Sequence, residues 1–355
     1  MGLIPQCPFN TVTSTKKPLY ILPTRNGNKH FNVDKCFELK DGRIFTLVNS
    51  NYILVYNILN PTLVDIKIDN SNFDNIEIVK ITQLDDGILI LYGRSPYIKL
   101  FQIESKSYKI IKSIDMSHFL ASCHVLECCK LSNGQLAFSL NSEKNSDYYI
   151  NYVKEIIAIF GYDTSTKSLI NYYQFSFSGL AIYNILECKN NELLLTRMSF
   201  KDKEYTFFNL KEQKSILTIK RKQICEPIKL NENFVLFENL DKIEIINLND
   251  HTIYRTISLA KLGYNYPISC FLKFDDNTLF IGDYAGNIYQ FSINWNDTNI
   301  LNFIEVFRAD VSTITVLTKY QRNKLISVSR RNETIKIWDL SLMKNNNNLL
   351  ENYYY

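Results

Sequence analysis

A short punctuation mark recurs down this chain: an apolar run meets a polar turn, and a second apolar run follows. The turn residue falls at Gly42, Gly87, Gly134, Asn191, Asn233, Asn277 and Asn323, at intervals of 45, 47, 57, 42, 44 and 46 residues. Glycine and asparagine reach positive φ at the least cost, as tight hairpins require. A second mark repeats in phase with the first. Residues 334–340 alternate polar and apolar and end on an aromatic and then a polar residue; counterparts run over 53–58, 98–103, 156–162, 205–210, 243–248 and 288–293. The aromatic position reads Tyr56, Phe101, Phe160, Phe208, Ile246, Phe291 and Trp338. A period of about 40–45 residues with four strands per unit is the signature of a propeller blade. A twisted four-stranded sheet cannot bury both faces alone, so neighbouring sheets stack, and closing the ring leaves only short edges. The pattern predicts an all-β, seven-bladed β-propeller whose third-strand aromatic fills the wedge between blades.

At Ile335-Lys336-Ile337-Trp338-Asp339-Leu340 and at residues 288–293 the chain resembles the WD40-repeat family. The resemblance spans nearly the whole chain by period, but the Trp-Asp pair stands only in the last blade. None of the four histidines (His30, His118, His124, His251) follows a glycine, so the family's Gly-His pair is missing. The family's turn aspartate is replaced by Ala285 in blade 6 and Asn332 in blade 7. The buried Asp–His–Ser–Trp hydrogen-bond network of the family is therefore not expected. What the resemblance implies is a fold and a general class, a WD-repeat binding platform, and no particular WD40 function.

Boundaries follow from the period. Residues 1–16 read as a flexible head, 17–343 as the propeller and 344–355 as a disordered, Asn-rich tail. Blades fall near 35–69, 75–116, 121–177, 180–221, 223–263, 267–309 and 311–341. Blade 7 shows only three strands, near 314–317, 324–329 and 334–340. Its outermost strand is expected from residues 18–22, just before Pro23, because proline tolerates a sheet edge. The ring is thus predicted to close through an N-terminal strand.

Composition narrows the function classes. Net charge is +4, and the basic runs Lys220-Arg221-Lys222 and Arg330-Arg331 are too short for a nucleic-acid footprint. No apolar stretch approaches the roughly 20 residues that span a bilayer. The N-terminus lacks a secretory pattern, and Gln6 stands where a myristoylation motif wants Ser or Thr. The expectation is an intracellular, cytoplasmic, monomeric ring that binds protein and neither nucleic acid nor membrane. Its eight cysteines, Cys7, Cys36, Cys123, Cys128, Cys129, Cys188, Cys225 and Cys270, are expected to be free thiols, most of them inside apolar runs.

Several constellations imitate chemistry. Cys123, His124, Cys128 and Cys129 have soft-ligand spacing. Strand alternation, however, puts His124 with Cys128 on one face and Cys123 with Cys129 on the other. Gly161 to Ser168 imitates a phosphate loop, but Thr166 stands where glycine must precede the lysine. Ser329-Arg330-Arg331-Asn332 resembles the double-arginine signature of phosphoinositide-binding propellers, without its glycine and in a turn between the second and third strands. No Gly-x-Ser-x-Gly elbow is present, and the starts of the inner strands read as mostly apolar or small. No catalytic residue, metal or cofactor is expected. The leading expectation is a non-catalytic scaffold or adaptor presenting propeller faces to partner proteins. One alternative is a substrate receptor of a ubiquitin ligase, although Ser341 replaces the arginine of the Trp-Asp-x-Arg docking box. Another is a propeller hydrolase or lyase with a central-funnel site. The candidate partner-binding residues are Tyr148, Tyr149 and Tyr152, in the blade 3 insertion between Leu140 and Glu155. A long connection on a rigid scaffold is where function tends to sit, and tyrosine suits interface hot spots. A merely extended hairpin is the other reading.

Overall fold

The computed structural model describes residues 16–23, 32–57, 59, 64–73, 78–120, 123–142, 154–178, 180–189, 191–198, 203–221, 225–239, 242–258, 266–295, 300–330 and 334–343. They form seven antiparallel four-stranded sheets arranged as a ring, a seven-bladed β-propeller. Six sheets run in sequence order from the innermost to the outermost strand. Blade 1 is Val33–Glu38, Ile44–Val48, Tyr52–Tyr56 and Val64–Asp69. In blade 7 the strands Ile314–Tyr320, Lys324–Ser329 and Thr334–Asp339 are completed by Tyr20–Pro23, with Tyr20 opposite Ile337 and Pro23 opposite Thr334. The N-terminal closure is therefore present. Lys16 is tied to the outermost strand of blade 6 through an ion pair with Glu305, and it lies 5.1 Å over the Phe307 ring.

The hairpin between the first and second strands explains the first sequence mark. In blade 1 the Gly42 amide donates to Leu39 O at 2.9 Å, and Asp41 Oδ1 accepts the Arg43 amide at 3.0 Å. Gly42 takes φ 85°, and Gly87 and Gly134 repeat the geometry at 84° and 82°. Asn191 follows at 65°, whereas Asn233, Asn277 and Asn323 do not take positive φ. In blades 5 and 6 an Asx turn does the work instead: the side chains of Asn231 and Asp275 accept the amides of Asn233 and Asn277 at 2.8 and 2.9 Å. In blade 7 Gln321 adopts the left-handed conformation, at φ 50°.

The core divides into seven apolar clusters, one at each blade interface. Each third-strand aromatic position sits in one of them, from Tyr56 between blades 7 and 1 to Trp338 between blades 6 and 7, and all are at most 4% exposed. Ile246 suffices between blades 4 and 5 because Phe207, Phe237 and Tyr205 fill that wedge, with the Tyr205 and Phe237 rings 4.6 Å apart.

Blade 7 contains a buried Ser–Trp hydrogen bond that the sequence reading did not expect. Trp338 Nε1 donates to Ser327 Oγ at 2.8 Å inside blade 7. The turn aspartate missing at Ala285 is replaced two residues earlier. Asp283 accepts the amides of Ala285 and Asn287 at 2.9 and 2.8 Å and the Tyr289 hydroxyl at 2.9 Å.

Candidate functional site

The propeller axis is where chemistry-bearing side chains converge, and a repeated backbone irregularity puts them there. In six blades the innermost strand slips register just inside its start, at Val33/Lys35, Ile78/Lys80, Val125/Glu127, Ile182/Asn184, Ile268/Cys270 and Ile314/Val316. Each slip is a β-bulge, which leaves one residue unpaired and re-aims the next. Strict alternation misses the effect. The inner strands do start on apolar or small residues, from Val33 and Ile78 to Ile268 and Ile314, yet the channel wall also carries Asp34, Lys35, Lys80 and Glu226, with Glu127 directly behind it.

Lys80 is the centre of this waist. From blade 2 its ammonium pairs with Glu127 of blade 3, reaches Glu226 Oε1 of blade 5 at 3.0 Å and donates to Tyr183 O of blade 4 at 3.4 Å. The bridge to Glu226 crosses the channel. Glu127 also accepts the Tyr92 hydroxyl and the Cys128 amide, both at 3.0 Å, and Thr82 lies 3.1 Å from that hydroxyl. Burial works to strip the Lys80 proton, but Glu127 and Glu226 outweigh it and hold its pKa above the ordinary lysine value. Enclosure likewise disfavours charge on Glu226, yet Lys80 and Lys35 keep that carboxyl below its usual range. Lys35 behaves oppositely: burial dominates and pulls its pKa down, with Glu127 and Glu226 offsetting only part of the effect.

Around the waist lies a chamber of about 1000 Å³ that runs along the inner strands to Glu38, Gln83, Lys130 and Lys319 at their far ends. Cys36, Cys128, Cys129, Cys225 and Cys270 border it. Burial pushes the thiols of Cys36, Cys129 and Cys270 up to about 12, and those of Cys128 and Cys225 well above the ordinary value. These are protonated thiols, and nucleophilic attack needs thiolate. The seven described cysteines are free. Among the described residues no three His, Cys, Asp or Glu side chains are grouped to hold a metal. The bulge also changes the faces expected for the blade 3 cluster: Cys123 and Cys128 share the core against blade 2, while Cys129 packs toward blade 4. The segment from Gly161 to Ser168 is a hairpin turn between the third and outermost strands, closed by Asp163 accepting the Ser165 amide at 2.8 Å.

The face that carries the links between blades and the turns from second to third strands has a character of its own. Tyr97, Tyr183, Tyr266, Tyr284 and Val311 all lie there, with exposures of 43–70%. Tyr284 is anchored on both sides: its amide donates to Pro267 O at 3.1 Å, and Thr313 Oγ1 donates to its carbonyl at 3.2 Å. Next to it Gly286, at φ 90°, lets the turn press against the link between blades 6 and 7; a Cβ there would stand 2.4 Å from Asp310 O. Asp310 is held in turn by Lys336 at 2.7 Å. Other exposed apolar side chains, such as Ile110, Ile170, Ile253 and Ile304, sit on outermost strands around the girdle. Tyr148, Tyr149 and Tyr152 lie outside the described residues. The strands that flank them end at Ser142 and begin at Lys154, on this same face. The four described tyrosines escaped the sequence reading because they recur at no fixed interval. Their shared position, a link, a turn or a strand end on one face, was the available signal.

No family model matches the sequence, and no curated protein matches it either. Solved structures do match by shape. The structure of the Dos1 propeller aligns over 88% of this chain and 81% of that chain, with a TM-score of 0.59 and 14% sequence identity. At that identity the likeness is one of fold, and it agrees with the ring of seven blades built from the strands above.

Proposed function

We propose that this chain is a non-catalytic scaffold of the WD40 type that docks a protein partner on its link face. The observation that supports this reading is the set of Tyr97, Tyr183, Tyr266, Tyr284 and Val311 on one face of a rigid ring. Tyrosine supplies large amphipathic contact area with few torsions to immobilise, which is why it recurs in interface hot spots. The Ser327–Trp338 bond and the wedge aromatics favour the WD40 lineage within propellers. A hydrolase or lyase has less support. The axial carboxylates are engaged by Lys80, and the chamber thiols are held protonated. Free buried cysteines fit a reducing compartment.

The test is quantitative cross-linking and co-purification of the full chain, comparing Tyr266→Ala/Tyr284→Ala and Val311→Asp with a girdle control, Ile253→Asp. The expected result is loss of one stoichiometric protein partner in the link-face variants alone, with thermal unfolding unchanged. An unaltered partner set, or loss only in the girdle control, would sink the reading.

A further inference from the structure

Among the described residues on the chamber wall, Lys35 is a cation without a direct hydrogen bond or ion pair; Glu127 and Glu226 act on it only at a distance. Lys130 is paired with Asp85, and Lys319 stacks over the Phe274 ring at 4.9 Å. Among the anions on the wall, Glu38 accepts the Gln321 amide at 2.7 Å and Asp34 accepts the Ser50 amide at 2.6 Å. Glu226 is committed to Lys80. Lys35 borders the cavity and makes no hydrogen bond or ion pair with the described residues. It stands in the same bulge position as Lys80, one blade away, so two ammonium groups project into one chamber.

We propose that the axial chamber binds a small, multiply charged anion bearing phosphate or several carboxylates, with Lys35 as its anchor and Lys80 as the second cation. A volume of about 1000 Å³ is ample for such a solute. Ammonium groups bind phosphate and carboxylate oxygens as point charges, and partial burial strengthens that attraction relative to bulk water. Glu226 is the resident competitor: its carboxylate already takes one side of Lys80, and an incoming anion displaces it. Lys80 remains fixed meanwhile by Glu127 and the Tyr183 carbonyl. Binding also restores the Lys35 proton that burial disfavours, so at alkaline pH the complex takes up protons.

The experiment is calorimetric titration and thermal unfolding of the full chain with sodium tripolyphosphate and with citrate, each at millimolar concentration against sodium chloride of equal ionic strength. At least one anion is expected to bind and to raise the unfolding temperature. Response to tripolyphosphate alone identifies phosphate chemistry, and response to citrate alone identifies a polycarboxylate. Lys35→Met, which keeps the apolar stem and removes the charge, should abolish binding. Glu226→Gln should tighten it several-fold by removing the competitor. In buffers of differing ionisation enthalpy, wild-type heats at alkaline pH should differ by the proton taken up. Failure of both anions to bind the wild type overturns the proposal. So does full binding by Lys35→Met, or unchanged or weaker binding by Glu226→Gln, the latter standing even if Lys35→Met fails to fold.

Discussion

Replacing Glu155 by glutamine removes a charge that the ring does not accommodate. Glu155 lies in the third strand of blade 3 opposite Asn141, fully buried, with neither carboxylate oxygen in a hydrogen bond. Burial lifts its pKa to about 8; the Arg197 guanidinium pulls it back only in part. In the unfolded chain the same group titrates near 4.5. Between those two values the folded ring keeps a proton that the unfolded chain has lost, so stability falls as pH rises through the window and levels off above it. At ~1.4 kcal/mol per pH unit the full drop has an upper bound of about 4–5 kcal/mol. Glu155→Gln keeps the shape and stays neutral, so near pH 5 the variant should match the wild type. Near pH 8.5 it should be more stable by roughly 2–4 kcal/mol. Glu238, raised to about 7 by burial against the pull of Lys203, slopes the same way in both proteins and cancels in the comparison. Urea unfolding across this range reads the difference as a shift in midpoint at constant slope. Wild-type and variant curves that run parallel from acid to alkaline pH would refute the reasoning.

Deleting residues 1–25 removes the outermost strand of blade 7 and exposes the cluster that holds Leu22, which is 1% exposed, so the calorimetric unfolding temperature should fall. An unchanged temperature would mean that closure adds nothing. Gly286→Ala should destabilise by more than ~2 kcal/mol, because its φ is unfavourable and its Cβ meets the Asp310 backbone. Gly134→Ala, with nothing within 4 Å, should cost only the ~1 kcal/mol of a left-handed alanine in the same denaturation assay. Lys80→Met leaves Glu127 buried and uncompensated and should cost about 3–5 kcal/mol. Adding Glu127→Gln should recover much of that loss in a double-mutant cycle, and strict additivity would show that the pair is uncoupled.

What the sequence made legible was what repeats locally. The turn residues, the wedge aromatics from Tyr56 to Trp338 and the closing strand before Pro23 each read from a few neighbouring positions, because a blade is one local unit used seven times. The axial charges were invisible for the opposite reason. Lys80 and Glu226 are 146 residues apart and meet only because the ring closes, and a bulge just inside its start turns the strand that carries Lys80 where alternation assumes none. The Ser327–Trp338 bond needs only two paired strands, but nothing in the local pattern marks Ser327 as the partner of the indole. The link-face tyrosines carry no periodic signal, since they occupy a different loop or strand end in each blade.

The closing strand has a consequence for how this ring comes into being. Tyr20 pairs with Ile337, about 300 residues away, so the seventh sheet is begun and finished by opposite ends of the propeller. During synthesis its outermost strand emerges before any blade exists and must wait, without its partner, until the other three strands are made. Blades 1 to 6 can each collapse as soon as their own hairpins emerge, because their contacts are local. Blade 7 alone depends on the longest loop closure in the chain. Until that closure, Thr334–Asp339 presents an open edge able to accept a foreign strand. The interval between release of the last hairpin and docking of residues 20–23 is therefore when this protein is most exposed to swapping that strand with another copy of itself.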